Sequence, residues 1–158
     1  MAEGLLNQDI ERFLRKKEFL NIATSDFENR PNVAPKFVLK VEGDYIYLID
    51  YVIGRTYRNL KINPRVSLST LDLDKLTGYQ INGTALIIDE GTEHKRLLGQ
   101  MHQRQIYFST MRIIAGVKRE KTHPSFEVTL PERVAIFKIK VEEIVEISST
   151  GKLKRQRL

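Results

Sequence analysis

Arg55, Thr56, Arg58, Asn59 and Lys61 crowd into one short stretch, directly after Gly54 and just before Asn63-Pro64. A helix that begins after a glycine and carries Arg and Thr on its first residues can grip a phosphate. Its first backbone N–H groups have no partner inside the helix, and its dipole is positive at that end. The side chains add a guanidinium fork and a hydroxyl donor. The same stretch also reads as a solvated helix linking two strands. Elsewhere the chemistry is thinner. The chain has no G-x-G-x-x-G, no G-x-x-x-x-G-K-[ST], no G-x-S-x-G and no H-E-x-x-H. His94, His102 and His123 are scattered, read as surface residues, and predict no metal site. No catalytic acid or base can be named from the pattern.

Composition narrows the classes further. With no cysteine, disulfides and thiolate chemistry are excluded. The balance of 41% hydrophobic and 29% charged residues is that of a folded domain, not a disordered chain. Lys152, Lys154, Arg155 and Arg157 supply much of the net charge of +6, so the body is only mildly basic. The expected division is one domain over residues 1–150 and a basic, solvated carboxy-terminal tail over 151–158. No apolar run approaches bilayer length, and MAEGLLNQDIERF lacks the basic-then-apolar order of a leader. A cytoplasmic protein without membrane contact is expected.

The elements that must position the grip follow from periodicity. Asn7 caps a first helix with Ile10, Phe13 and Leu14 on its apolar face. Strands are predicted over 19–25, 32–41 and 45–50, the last two joined by a tight turn at Glu42-Gly43-Asp44. Pro35 inside the second strand calls for an edge or a bulge there. After a helix over 55–63, strands follow at 65–71 and 78–89. Thr92 is read as the cap of a helix running to about residue 105, with Leu97, Leu98 and Met101 inward. Residues 106–131 give no clear period, and 118–124 reads as a loop. A strand over 134–141 continues as 144–148 after a bend at Glu142-Glu143. Strands joined by short hairpins are antiparallel, and closing them removes their edges. The expected fold is mainly β, an antiparallel six-stranded barrel with peripheral α-helices.

Taken together, Asn21-Ile22-Ala23-Thr24, Arg30-Pro31-Asn32-Val33-Ala34-Pro35-Lys36-Phe37, Arg55-Thr56-x-x-Asn59-Leu60, Asn63-Pro64-Arg65-Val66-Ser67-Leu68 and Gly78-Tyr79-Gln80-Ile81-Asn82-Gly83-Thr84-Ala85 carry a resemblance. In order and spacing over roughly residues 8–100 the chain is similar to the pyridoxamine-phosphate-oxidase-like family of FMN-binding split barrels. That resemblance implies a homodimer of split β-barrels with FMN held where the subunits meet. It implies that Arg55 and Thr56 bind the phosphate, with Asn59 one helical turn further on. It sets Pro35, Lys36 and Phe37 beside the flavin ring, Ile49 and Asp50 where backbone meets the isoalloxazine, and Tyr79 and Gln80 on the strand approaching from the dimer interface. Phe37, Tyr45 and Tyr47 are candidate apolar walls, although the two tyrosines read first as ordinary barrel core.

The resemblance implies an FMN-dependent oxidoreductase that takes electrons from a reduced nicotinamide or a small substrate. Vitamin B6 oxidases end in a segment with a tryptophan and substrate-binding basic residues. This chain has no tryptophan and its basic tail does not match, so pyridoxamine phosphate oxidation is not expected. The alternatives are a haem- or deazaflavin-binding relative on the same barrel, a flavin carrier or sensor without turnover, and a nucleic-acid-binding β-barrel using the basic tail. The aromatic residues sit mostly at alternating, core-like positions, which disfavours nucleic acid.

Overall fold

The computed structural model describes residues 4–119 and 133–158. Asn7 caps α1 (Gln8–Arg15): its Oδ1 accepts from the Asp9 and Ile10 amides at 3.1 and 2.9 Å. Ile10 and Leu14 then point into the main core. The chain continues through β1 (Phe19–Ser25), β2 (Pro31–Glu42), β3 (Tyr45–Asp50), α2 (Arg55–Ile62), β4 (Arg65–Asp72), β5 (Thr77–Ile88), α3 (Gly91–Lys118), β6 (Ala135–Ile147) and β7 (Leu153–Arg157). Strands β1 to β6 close as β1-β2-β3-β6-β5-β4, antiparallel throughout. This is the six-stranded antiparallel barrel that the hairpin pattern predicts, with three helices outside it.

Alternation along the strands sends residues to two cores. Leu20, Ile22, Val38, Ile46, Leu48, Leu68, Ile81 and Phe137 fill the barrel interior. Phe37, Leu39, Tyr47 and Ile49 point the other way and pack against Leu97, Met101 and Phe108 of α3. Two register shifts shape the wall. Leu39 is the extra residue of β2 opposite Leu48 and Tyr47. Glu142 is the extra residue of β6 opposite Asn82 and Gly83, at the bend that the sequence marks. A Cβ on Gly83 would stand 2.1 Å from the Lys140 carbonyl oxygen, so only glycine lets β5 approach β6 there.

Three expectations need correction. Thr92 does not cap the second long helix. Gly91 takes φ +87°, a conformation glycine adopts easily, which makes a sharp exit from β5 and starts α3 with Glu90 at the cap position. The helix also runs well beyond residue 105, to Lys118. Its later apolar residues lie on several faces, with Phe108 buried while Ile106, Tyr107, Met111, Ile113, Ile114 and Val117 are exposed, so no single stripe declares the period. Most of the loop expected over 118–124 lies outside the described residues. Finally, the basic carboxy-terminal segment is not a loose end. Leu153–Arg157 pairs with β6 as β7, leaving most of its side chains in solvent.

One side chain locks the periphery together. Arg104 of α3 donates to the carbonyl of Val38 in β2 (2.7 Å) and to those of Arg15 (2.6 Å) and Lys17 (3.1 Å) at the end of α1. It thereby satisfies orphan carbonyls at a helix C-terminus with a cation.

Candidate cofactor site

The barrel is split along β2. Residues from Pro31 to Lys36 pair only with β1, because pairing with β3 begins at Phe37. Pro35 falls in this one-sided stretch, as its missing N–H requires. Helix α2 sits beside the opening and supplies the phosphate-type grip. Gly54 at its cap position offers no side-chain hydrogen bond, and the first intrahelical bond runs from the Arg58 amide to the Gly54 carbonyl at 3.2 Å. The amides of the first turn are therefore left for an anion. Arg55 is exposed and forms no ion pair among the described residues. Thr56 is buried, and its Oγ1 accepts from Asn32 Nδ2 at 3.2 Å, which leaves its hydroxyl hydrogen free to donate.

Asn59 is placed differently. It is buried on the barrel side of α2 and donates to Thr24 Oγ1 at 3.0 Å. Asn63 repeats the contact one turn on, donating to Ser25 Oγ at 3.1 Å. Both tie the helix to β1, and Asn59 does not join Arg55 and Thr56 at the helix start.

Further along β2, the alternation that points Asn32 at α2 also points Ala34 and Lys36 to the same face. Lys36 Nζ lies 2.5 Å from Asp50 Oδ1 at the end of β3. Asp50 is wholly buried and the Lys36 side chain is only 11% exposed. The second carboxylate oxygen, Oδ2, is buried without a hydrogen-bond partner among the described residues. The neighbours of this pair in sequence face away from it: Phe37 and Ile49 spend their side chains in the core beneath α3, where Phe37 meets Phe108 edge to face at 5.8 Å. Phe37 is therefore not an apolar wall of the opening. Tyr47 is buried in the same core, and Tyr45 is half-exposed over the Lys138 ammonium.

Tyr79 and Gln80 occupy opposite faces of β5. Tyr79 packs against Phe13 in the main core, and burial pushes its phenol above its ordinary pKa. Gln80 is exposed on the outer wall and donates to Asn82 Oδ1 at 3.2 Å. It shares a cross-strand row with Ser69, Asn21 and Pro35. That row borders a groove of about 780 Å³ whose apolar rim includes Phe19, Leu71 and Ile147. Within one chain, then, Arg55 and Thr56 form one group and Lys36 and Asp50 another on the same strand face, while Gln80 stands on a separate wall. Asn32 was missed as a site residue by sequence reasoning. The signal was its period-two spacing to Lys36.

The family model described as pyridoxamine 5'-phosphate oxidase matches residues 6–147. The chain belongs to that family. It is 39% identical over 71 residues to heme oxygenase HutZ of Vibrio cholerae, a match covering 44% of this chain and 39% of HutZ. The chain spans about half or less of the lengths of the curated relatives it matches. Among solved structures, a protein related to general stress protein 26 from Clostridium acetobutylicum aligns with TM-score 0.65 and 17% identity, covering 94% of this chain and 96% of that one. A pyridoxamine 5'-phosphate oxidase-related, FMN-binding protein from Nostoc punctiforme aligns with TM-score 0.62 and 11% identity, covering 100% and 99%. At these identities both structures speak for the split-barrel fold alone.

Proposed function

We propose that this member of the family is an FMN-binding flavoprotein and an oxidoreductase acting on a small substrate or a reduced nicotinamide. The observation that carries the reading is the uncapped start of α2, with exposed Arg55 and the Thr56 hydroxyl oriented by Asn32. A dianionic phosphate asks for that combination of fixed donors and positive charge. The residues along β2 also fit the rest of the cofactor. Lys36, whose side chain is 11% exposed, supplies a cation held by the wholly buried Asp50. When bound, the flavin supplies the electron chemistry, and the protein supplies affinity, orientation and charge.

In this reading Arg55 and Thr56 hold the phosphate, and Lys36, held by the buried Asp50, faces the polar edge of the ring. Pro35, Phe37 and Ile49 shape the strands beside it, and Asn59 sets the helix that carries the grip. Gln80, exposed on the outer wall, completes the site of a second copy, with Tyr79 packed in the core behind it, which makes the unit of function a homodimer. Arg55→Ala is expected to lose most FMN while keeping the circular dichroism of the fold; full flavin occupancy in the purified variant would refute the phosphate assignment.

The match to HutZ supports a second reading, haem on the same barrel. Against it, His94 Nε2 is engaged with the Val134 carbonyl at 2.8 Å, and His102 is exposed on α3. His123 lies outside the described residues. The visible spectrum separates the two: flavin bands support the first reading, and an intense Soret band replaces it with the second.

A further inference from the structure

We infer that Asp50 is a positioning residue for Lys36, holding its ammonium beside the cofactor as half of a neutral pair, so that the ring meets a masked cation and not a free one. The inference rests on the FMN reading and concerns the electrical environment of that site. Three observations carry it. First, the contact is buried: Lys36 Nζ stands 2.5 Å from Asp50 Oδ1, with the aspartate wholly inside and the lysine side chain 11% exposed. An exposed pair of this kind would be loosely held, whereas burial fixes the geometry and strengthens the charge interaction. Second, Asp50 Oδ2 has no donor among the described residues, so Lys36 is the partner that this buried carboxylate is given.

Third, the placement is directional. Asn32 and Lys36 share one face of the half of β2 that β3 leaves unpaired, and Asn32 touches Thr56 at the grip. Four residues of strand separate Asn32 from Lys36 by about 13 Å along β2. A molecule with a phosphate at one end and a polar ring at the other spans that interval. Reduction of a flavin adds negative charge to its ring, so a free cation there would favour the reduced form and an unpaired carboxylate would oppose it.

The test titrates FMN, oxidised and chemically reduced, into the full-length protein and its variants and compares the ratio of the two dissociation constants. Asp50→Asn unmasks Lys36 and is expected to shift that ratio toward reduced FMN by about tenfold, or about 30 mV for the two-electron couple. Lys36→Met leaves the carboxylate alone and shifts it in the opposite sense. Lys36→Arg and the double variant Lys36→Met/Asp50→Asn return the wild-type ratio. A merely structural pair would move stability in both single variants and the ratio in neither. Should Lys36→Met fail to fold around its lone buried carboxylate, Asp50→Asn and the double variant still decide. Shifts of the same sign, or none, in variants that bind FMN overturn the positioning role and leave the flavin reading standing. A wild-type protein that takes up neither form of FMN overturns both.

Discussion

The two halves of β2 are built from one continuous strand and do different work. From Phe37 to Glu42 it pairs with β3 and packs against α3, and Phe37, Val38, Leu39 and Val41 are buried. From Pro31 to Lys36 it has only β1, and exposed residues alternate with half-buried ones. The first arrangement spends its apolar side chains on packing. The second leaves an edge, and the side chains facing α2 remain available for a ligand. A barrel of this size has no room inside for a cofactor, so a site has to be made where the wall is incomplete.

Breaking the packed half should cost most. Leu39→Ala removes a buried side chain from the core under α3 and is expected to destabilise by about 2–5 kcal/mol, read as a lower urea midpoint. Asn32→Ala, in the open half, removes one hydrogen bond to Thr56 and should cost about 1 kcal/mol of stability. Its FMN dissociation constant should nonetheless rise by about tenfold, measured by flavin fluorescence. Equal stability losses in the two variants would erase the contrast.

A third test uses β7, which like the open half of β2 has a single partner. Its clamp is Glu143, which accepts from the Arg157 guanidinium and from Asn82 Nδ2 at 2.5 Å, with Arg155 3.5 Å away. The Arg157 hydrogen bond, followed by that from Asn82, holds the Glu143 carboxyl below its ordinary pKa. A carboxyl depressed in the folded state stabilises above its unfolded value and loses that contribution as pH falls through the lowered one. The protection of the β7 amides, relative to the intrinsic exchange rate at each pH, should therefore fall on acidification below the ordinary carboxylate range while the central amides of β6 stay protected. The smallest effect is expected at Val33, whose side chain is 65% exposed: Val33→Ala should change stability by no more than about 0.5 kcal/mol.

What the sequence makes legible is local. The grip could be read because Gly54, Arg55 and Thr56 are consecutive and a helix start has fixed chemistry. Pro35 announced an unpaired stretch for the same kind of reason. The Lys36–Asp50 pair was not visible as a pair, since it depends on how β2 and β3 register across the bulge at Leu39. Phe37 was misread as a wall because adjacent strand residues face opposite sides, and nothing local says which side α3 will cover. The far half of α3 was hidden by apolar residues on several faces. Strand β7 was hidden by its charge, because Lys and Arg suit both a solvated end and a guarded sheet edge.

Arg104 has a further bearing on how the molecule comes apart. Its guanidinium couples α3 to the end of α1 across 89 residues of chain, and to β2 across 66. Contacts between segments so distant close long loops, an entropic cost that grows only slowly with the length enclosed. Once made, they mean that the end of α1 cannot fray without also stripping donors from two backbone carbonyls and freeing a cation from α3. The amino-terminal helix, which in most domains is among the first elements to open, is thereby enrolled in the same cooperative unit as the barrel wall.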